Sequence, residues 1–325
     1  MNAAAVPGKS GSPAALVLAP PGRAADNAFR LLTWVMAMCV LALLLLVAWT
    51  LCQGAHLSIG KFGWHFFVHS KWNPVTGDFG ALPFIFGTFV SSLIALLIAL
   101  PLSLATAVYL TELAPGWARQ PAISMIEMLA AIPSVVFGIW AAFVMVPWLR
   151  DGPYPLLQKM FGFLPLFQGK VYGTCILSAA VILAIMILPI ITSISREVFR
   201  AVPDSQREAA FALGATRWEV TRLAVLGYST RGIFGAAMLG LGRALGETMA
   251  VMMVIGNRSE IPKSLFDPAV TLSSGLANEF TEANLDLHLS ALFELGLMLL
   301  LVTMVTNVLA HLLIGAVGAP KHSGT

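Results

Sequence analysis

Arg243 and Glu247 are the two charged residues in an otherwise apolar stretch from Gly232 to Asn257. Residues four apart lie on one face of a helix, where their side chains can meet and neutralise one another. An ionised residue at the centre of a membrane helix costs about 2.5 to 3.5 kcal/mol on insertion scales, so such residues normally face a bundle interior or a watery path. The pair therefore predicts a charged face inside a helix bundle.

The chemistry that this pair could perform is anion binding. Arginine offers a fixed positive charge and a planar fork that matches the oxygens of phosphate groups, and Glu247 can hold that fork when no anion is present. We place Arg243 and Glu247 in a substrate path, and the alternative is a structural ion pair that locks two helices. Gly242 and Gly246 predict close packing of another helix beside the charged face. Ser134, directly after Pro133, could either satisfy a freed backbone group or touch the substrate.

The sequence offers little support for nucleotide binding, metal binding or catalysis. The glycines around Arg243 lack the spacing of a dinucleotide-binding loop, and no Gly-x-x-x-x-Gly-Lys-Ser/Thr sequence occurs. His65 and His69 have the spacing of zinc ligands without the glutamate of His-Glu-x-x-His, so we assign no metal. No nucleophile and base form a recognisable catalytic set. We expect no enzyme activity and no cofactor in this chain.

The elements that position these residues are membrane helices. The chain has 325 residues, of which 58% are hydrophobic and 11% charged, whereas a soluble domain carries about 25% charged residues. A helix needs about 20 apolar residues to cross a bilayer. We predict an all-α integral membrane protein with about six transmembrane helices, at about residues 29–52, 82–110, 123–148, 172–194, 232–257 and 288–317.

The distribution of lysine and arginine predicts the orientation of these spans. With a cytoplasmic amino terminus, eleven of these residues lie inside and seven outside, as the positive-inside rule requires. Both termini are then cytoplasmic. The permease domain is predicted over residues 29–317, between cytoplasmic tails at 1–28 and 318–325, and the net charge of +3 is too small to suggest nucleic acid binding.

A charged inner loop at residues 195–231 separates spans four and five. Ser205 and Glu208 have the spacing of a capping box at the start of a helix, and Thr216 and Glu219 have the same spacing at the start of a second helix. Gly214 is placed to end the first helix in the left-handed conformation. The loop therefore predicts a short helix, a glycine corner and another short helix, an arrangement suited to a groove in a soluble partner.

This loop resembles the EAA loop of ABC importer permeases. The residues that carry the resemblance are Glu208, Ala209, Ala210 and Gly214. In that family the loop forms the coupling helix that is seated on the ATPase subunit, so the resemblance implies that ATP and Mg are bound by a partner ATPase. A helical inner loop without such a partner is the alternative interpretation.

Two further segments resemble the PstC-type permeases of phosphate-specific ABC importers. These are Gly-Arg-Ala-Leu-Gly-Glu-Thr-Met-Ala-Val at 242–251 and Ala-Ala-Ile-Pro-Ser-Val-Val-Phe-Gly at 130–138. The resemblance implies a multi-pass protein of the bacterial cytoplasmic (inner) membrane. Its implied partners are membrane lipid, a second homologous permease (PstA-type), a pair of ATPase subunits (PstB-type) and an external phosphate-binding protein (PstS-type).

Three functions remain to be weighed against this resemblance. The first is a permease subunit that moves phosphate by alternating access, driven by ATP hydrolysis in the partner chain, and a permease for another oxyanion is a variant of it. The second is a proton-coupled anion transporter with Glu247 as the proton carrier. The third, an intramembrane enzyme, is disfavoured because paired catalytic residues are missing.

Overall fold

The computed structural model describes residues 23–317, and its regular elements are helices. They are α1 (Arg23–Gly54), α2 (His56–Phe62), α3 (His65–Val68), α4 (Leu82–Val108), α5 (Gly116–Ala131), α6 (Ser134–Trp140), α7 (Val146–Asp151), α8 (Pro153–Phe161), α9 (Ile176–Arg200), α10 (Asp204–Ala212), α11 (Arg217–Val220), α12 (Gly227–Leu245), α13 (Met249–Met252), α14 (Leu272–Glu279) and α15 (Asp286–Val317). The predicted tails 1–28 and 318–325 lie outside the described residues, except that residues 23–28 already belong to α1.

Three wider, π-helical segments extend or connect these helices. Tyr109–Leu113 continues α4, Ala141–Met145 joins α6 to α7, and Thr221–Leu226 joins α11 to α12. Within the described chain, residues 23–49 form one compact unit and residues 50–317 form a second.

Five helical segments among residues 23–317 are long and apolar enough to cross a membrane. They are Ala25–Gly54, Leu82–Leu113, Ser134–Asp151, Ile176–Arg200 and Asp286–Leu313. The predicted mainly helical, membrane-spanning fold is thereby confirmed. The cytoplasmic position of both termini stays a prediction.

The predicted span 123–148 differs from the structure because the chain breaks at Pro133. Ile132 and Pro133 have extended backbone conformations, with ψ of 129° and 139°. Proline has no N–H to donate and pushes the residue before it out of the helical region, so α5 ends at Ala131. The apolar crossing segment starts only at Ser134, and α5 is a separate helix.

The predicted span 232–257 is also not one continuous helix. It consists of α12, which ends at Leu245, and the four-residue α13, which begins at Met249. The break at residues 246–248 lies between Arg243, which belongs to α12, and α13, and it contains Glu247. Glycine lowers helix stability, and a buried carboxylate here bonds to the backbone beyond the break.

Helix α9 lies at the centre of the second unit, packed between α4 and α12. Its buried side chains occur on nearly every face, as expected for a helix that is surrounded by others. The close approach of α12 occurs at Gly240, where an added Cβ would lie 2.7 Å from Cδ1 of Ile191. An added Cβ at Gly242 would lie 3.8 Å from Oδ1 of Asn307 in α15, an ordinary contact, and one at Gly246 would lie 3.8 Å from the carbonyl oxygen of Gly242 in α12. Close packing of another helix at these two glycines stays a prediction.

Candidate functional site

The predicted charged pair forms at the carboxyl end of α12. Nη1 of Arg243 lies 2.6 Å from Oε2 of Glu247. The glutamate side chain is 2% exposed and the arginine side chain 44% exposed. The two residues therefore meet as their spacing predicts, with the carboxylate buried in the protein and the guanidinium at an open surface of this chain.

Glu247 is fixed by contacts on both sides of the helix break. Its Oε1 accepts a hydrogen bond from the N–H of Ala250 at 3.3 Å, which satisfies one of the free backbone donors at the start of α13. The hydroxyl of Ser273 donates to the carbonyl oxygen of Glu247 at 2.7 Å. Both carboxylate oxygens are thus engaged, and the residue holds α12, α13 and α14 together.

This geometry suits transient anion binding. The ion pair is formed through Nη1 of Arg243, and the exposed part of the guanidinium can bind the oxygens of an anion. The glutamate orients the guanidinium and offsets part of its charge, so an anion that bound there would not be held too tightly. A permeation site requires binding that is favourable enough for entry and weak enough for release.

Helix α6, which carries Ser134, packs against α13. The contact is at Gly138, where an added Cβ would lie 2.8 Å from Sδ of Met253 and 3.0 Å from Cα of Ala250. Ser134 is half-buried at the first position of α6. The structure therefore brings the helix of Ser134 to the helix that follows Glu247, while the contact itself lies one turn further along, at Gly138.

The sequence analysis did not predict a buried set of hydroxyl groups around α14. Thr271 and Ser274 form a capping box at the start of α14. The N–H of Leu272 donates to Oγ1 of Thr88 in α4 at 2.8 Å. With Ser273, these residues line the buried connection between α14 and the helix break. The Thr-x-x-Ser spacing was a local signal for the cap, but the contact with Thr88 joins residues far apart in the chain.

The predicted coupling residues Glu208, Ala209, Ala210 and Gly214 lie in α10 and in the glycine corner that follows it. We call this stretch, residues 204–214 of the predicted loop 195–231, the coupling segment. Gly214 has φ of 82°, the left-handed conformation that the sequence predicts. The predicted capping box of Ser205 and Glu208 is wrong, because α10 already begins at Asp204 after Pro203 and has no side-chain cap. A helix capped by Ser205 would begin at residue 206, and the fixed φ of Pro203 favours a start two residues earlier.

The second predicted capping box is confirmed at the start of α11. The carboxylate of Glu219 accepts hydrogen bonds from the N–H and the hydroxyl of Thr216, both at 2.8 Å. The bond from the backbone N–H of Thr216 lowers the pKa of Glu219 most, and the bond from the hydroxyl adds to it. The carboxylate therefore stays ionised to lower pH than usual.

Arg207 ties the coupling segment to the ends of two membrane helices. Its guanidinium donates to the carbonyl oxygens of Val202 at 2.8 Å and Phe199 at 2.9 Å. It also lies 3.2 Å from Oε1 of Glu112, in the extension of α4. This contact could not be predicted from local sequence patterns, because Glu112 lies 95 residues away from Arg207.

The outer face of the coupling segment is exposed. Glu208 and Ala209 are exposed and Ala210 is half-buried. Leu213, beside Gly214, is 90% exposed. Small side chains next to an uncovered leucine form a surface that another protein can approach closely, as the predicted role in coupling requires.

The histidine pair His65 and His69 lies in the segment between α1 and α4. The rings of His65 and His69 stack with centroids 5.2 Å apart. Among residues 23–317 no third histidine, cysteine or carboxylate joins them in a possible metal-binding group.

Comparison with known proteins identifies the class of protein that these features define. The family of binding-protein-dependent transport system inner membrane components matches residues 99–319. The chain therefore belongs to this family.

Several individual proteins are similar to this chain over most of its length, and all of them are described as the same kind of permease. The chain is 47% identical over 298 residues to the phosphate transport system permease protein PstC of Mesorhizobium japonicum, covering 90% of this chain and 91% of the relative. It is 47% identical over 290 residues to PstC of Pasteurella multocida, covering 88% and 90%. A probable PstC of Methanocaldococcus jannaschii is 36% identical over 287 residues, covering 86% and 91%. The predicted membership in the PstC-type permeases is thus confirmed, and these relatives are named as transport permeases, not as enzymes.

Solved structures with the same fold are also ABC transporters. A chain of a bacterial ABC transporter involved in the import of the acidic polysaccharide alginate matches with a TM-score of 0.58 at 15% identity, covering 88% of this chain and 97% of that one. A chain of the inward-facing MetNI methionine transporter matches with a TM-score of 0.53 at 15% identity, covering 77% and 100%. At such low identity the likeness shows the shared permease fold alone.

Proposed function

We propose that the chain is the membrane-spanning permease subunit of an ATP-driven importer that moves inorganic phosphate across the bacterial cytoplasmic (inner) membrane. The observation that carries this proposal is the 47% identity to relatives named as phosphate transport permeases over nine tenths of the chain. The exposed guanidinium of Arg243 provides the chemistry that such a substrate needs.

The proposed partners follow from the same family. They are a second, PstA-type permease, a pair of PstB-type ATPase subunits that bind ATP and Mg, and an external PstS-type phosphate-binding protein. A structural neighbour is an alginate ABC transporter in complex with a pentasaccharide-bound periplasmic protein, with a TM-score of 0.57. Its fold supports an assembly of this kind.

The proposed mechanism joins the two sites of this chain. Closure of the ATPase pair moves the coupling segment with Glu208, Ala209, Ala210 and Gly214. Arg207 passes this movement to α9 and to the extension of α4. The spans then alternate access to the path beside Arg243, which binds phosphate oxygens while Glu247 keeps its guanidinium oriented. Ser134 lies on the neighbouring α6 and is a further candidate for the path.

Reconstitution tests the proposal. The chain is placed in proteoliposomes with its partner permease and ATPase, and ATP hydrolysis is measured with the external binding protein and either phosphate or sulfate. We expect hydrolysis and uptake to respond to phosphate and to cease when the ATPase is inactivated. Phosphate uptake that persists with an inactive ATPase and stops when the proton gradient collapses would establish the proton-coupled carrier instead. A response to sulfate alone would assign another oxyanion.

A further inference from the structure

A cavity of about 250 Å³ opens between the ends of α4, α5 and α9. Three arginines line it: Arg119 at the start of α5, and Arg196 and Arg200 in the last turns of α9. The cavity lies at the end of α9 from which the coupling segment departs, since α9 ends at Arg200 and α10 begins at Asp204.

This cavity is separate from the site at Arg243. Helix α12 contacts the cavity end of α9 at Gly232, which packs against Val198, and contacts the middle of α9 at Gly240, which packs against Ile191. Arg243 is eleven residues beyond Gly232, so at 1.5 Å per residue it lies about 16 Å further along α12. The three arginines around the cavity therefore form a second basic site.

Two of the arginines are held in place by bonds that leave much of their hydrogen-bonding capacity unused. Nη2 of Arg119 donates to the carbonyl oxygens of Thr111 at 3.1 Å and Ala114 at 3.4 Å. Nη2 of Arg196 lies 2.8 Å from Oε1 of Glu197 and 3.6 Å from Oε1 of Glu127. In both cases these contacts involve a single nitrogen of the guanidinium, which has five N–H donors.

The side chain of Arg196 is much more buried than the two carboxylates with which it pairs. Its side chain is 12% exposed, whereas both of its carboxylate partners are more than half exposed. Its Nε is buried and has no hydrogen-bond partner among residues 23–317. A buried donor without an acceptor is destabilising, so the contacts of Arg196 with this chain leave part of its guanidinium unsatisfied.

The charges around the cavity do not balance. Arg200 is 3.8 Å from Glu197, which Arg196 shares, so three guanidinium groups face the two carboxylates of Glu127 and Glu197. Glu112, next to Thr111, is engaged by Arg207 and not by the arginines of the cavity. The neutral side chains of Thr111 and Gln120 add further hydrogen-bonding groups to the wall.

We propose that this cavity binds a phosphate group, carried either by the headgroup of an anionic phospholipid or by free inorganic phosphate. Guanidinium forks match phosphate oxygens, and basic pockets between membrane helices hold phosphate-bearing headgroups. Trp117 is 82% exposed two residues before Arg119, as is common at a membrane–water interface. A ligand here would contact α4, α5 and α9 beside the coupling segment. The site is independent of the anion that is transported.

The test uses the whole complex, with Arg119→Gln and Arg200→Gln combined. The matched control combines Arg222→Gln and Arg231→Gln, which removes two exposed arginines outside the cavity. One arm measures by native mass spectrometry the anionic phospholipid retained by the complex after purification. The other arm measures equilibrium binding of radiolabelled phosphate in nanodiscs of zwitterionic lipid, without the external binding protein.

We expect the wild type and the control to bind in at least one arm, and the double variant to bind about tenfold less in that arm. Binding in the lipid arm identifies a headgroup as the source, and binding in the phosphate arm identifies the free anion.

A second variant, Gln120→Glu, covers the case in which the double variant fails to assemble. It adds a carboxylate to the exposed lining without removing a structural bond, and it is expected to weaken the same binding. Equal binding by wild type and variants, or binding in neither arm, would overturn the proposal. Because neither arm measures transport, the result stands whichever oxyanion the complex imports.

Discussion

Oε2 of Glu247 lies 2.6 Å from Nη1 of Arg243, yet the glutamate is almost fully buried and the arginine is nearly half exposed. The carboxylate also holds the backbone of α13 through Ala250. This asymmetry separates two roles within one ion pair. Glu247 organises the break between α12 and α13, and Arg243 presents a charge to an open surface.

Replacing Arg243 by glutamine is expected to destabilise the complex by about 1 to 3 kcal/mol, because the buried carboxylate of Glu247 loses its charged partner. Replacing both residues by glutamine should restore most of that stability, since no buried charge is left unpaired. Thermal unfolding of the purified complex measures both effects.

Arg231→Gln is the matched control for this cycle, because Arg231 is an exposed arginine in the same helix. It should leave the thermal midpoint unchanged. If the double variant is as unstable as Arg243→Gln alone, the pairing of the two side chains does not explain the loss.

Gly138→Val is expected to reduce transport strongly while Gly235→Val is tolerated. A Cβ at Gly138 would lie 2.8 Å from Met253 and 3.0 Å from Ala250, whereas nothing lies within 4 Å of one at Gly235. The larger side chain must push α6 away from α13 and so disturb the backbone beside Glu247. Uptake by complexes purified in equal yield checks this, and normal uptake by Gly138→Val would show that the α6–α13 contact is not needed.

The sequence predicted the charged pair because its signal is local. The four-residue spacing of Arg243 and Glu247 fixes their helical face, and apolar length identifies most of the spans. The break after Leu245 could not be predicted in this way, because it is stabilised by Ser273, 26 residues away. Which hydroxyl group reaches the carbonyl oxygen of Glu247 depends on how the loop at residues 258–271 folds. No local sequence pattern predicts that conformation.

Arg207→Gln is expected to uncouple ATP hydrolysis from uptake. The arginine bonds the coupling segment to the last turn of α9 and to Glu112, so its loss removes the connection while the exposed face of α10 remains for the ATPase. We expect hydrolysis to continue and uptake to fall roughly tenfold, as for the loss of charged hydrogen bonds. Glu112→Gln should show a weaker form of the same defect.

Arg222→Gln provides the comparison, because Arg222 is exposed in the same loop. It should retain the ratio of phosphate molecules taken up to ATP hydrolysed. An Arg207→Gln complex with an unchanged ratio would argue that the movement reaches the membrane helices by another route.

The cap of α11 should depend on pH. In the folded chain the pKa of Glu219 lies below its ordinary value of 4.5, so the ionised carboxylate stabilises the cap at pH values above 4.5. This stabilisation is lost as the pH falls through the lowered pKa. Hydrogen exchange of residues 217–226, corrected for the intrinsic effect of pH, should therefore rise on acidification.

Thr216→Val removes the hydroxyl of this cap, and Thr216→Ser keeps it. Valine should increase exchange in α11 at neutral pH, and serine should leave it nearly unchanged. Equal exchange in both variants would mean that the hydroxyl of Thr216 does not hold the helix start.

The two predicted capping boxes show that the Ser/Thr-x-x-Glu spacing alone does not decide whether a cap forms in this loop. Both Ser205 and Thr216 have a glutamate three residues later, but only Thr216 forms the cap. Pro203 starts α10 before Ser205, and a residue inside a helix cannot cap its first turn. The anchor of the loop, Arg207 on Glu112, is a contact between distant segments and became visible only in the folded chain.

Uptake of radiolabelled phosphate by reconstituted complexes that carry Arg243→Gln, with Glu247→Gln and the Arg231→Gln control beside it, tests the central claim most directly. If Arg243 binds phosphate in the path, its variant should still assemble despite its lower stability, but equal amounts of assembled complex should take up phosphate at least about tenfold more slowly than the wild type. The Arg231→Gln control should transport normally. Wild-type uptake by the Arg243→Gln complex would show that Arg243 does not bind phosphate in the path, and failed assembly of that complex would show that the pair is a structural clamp.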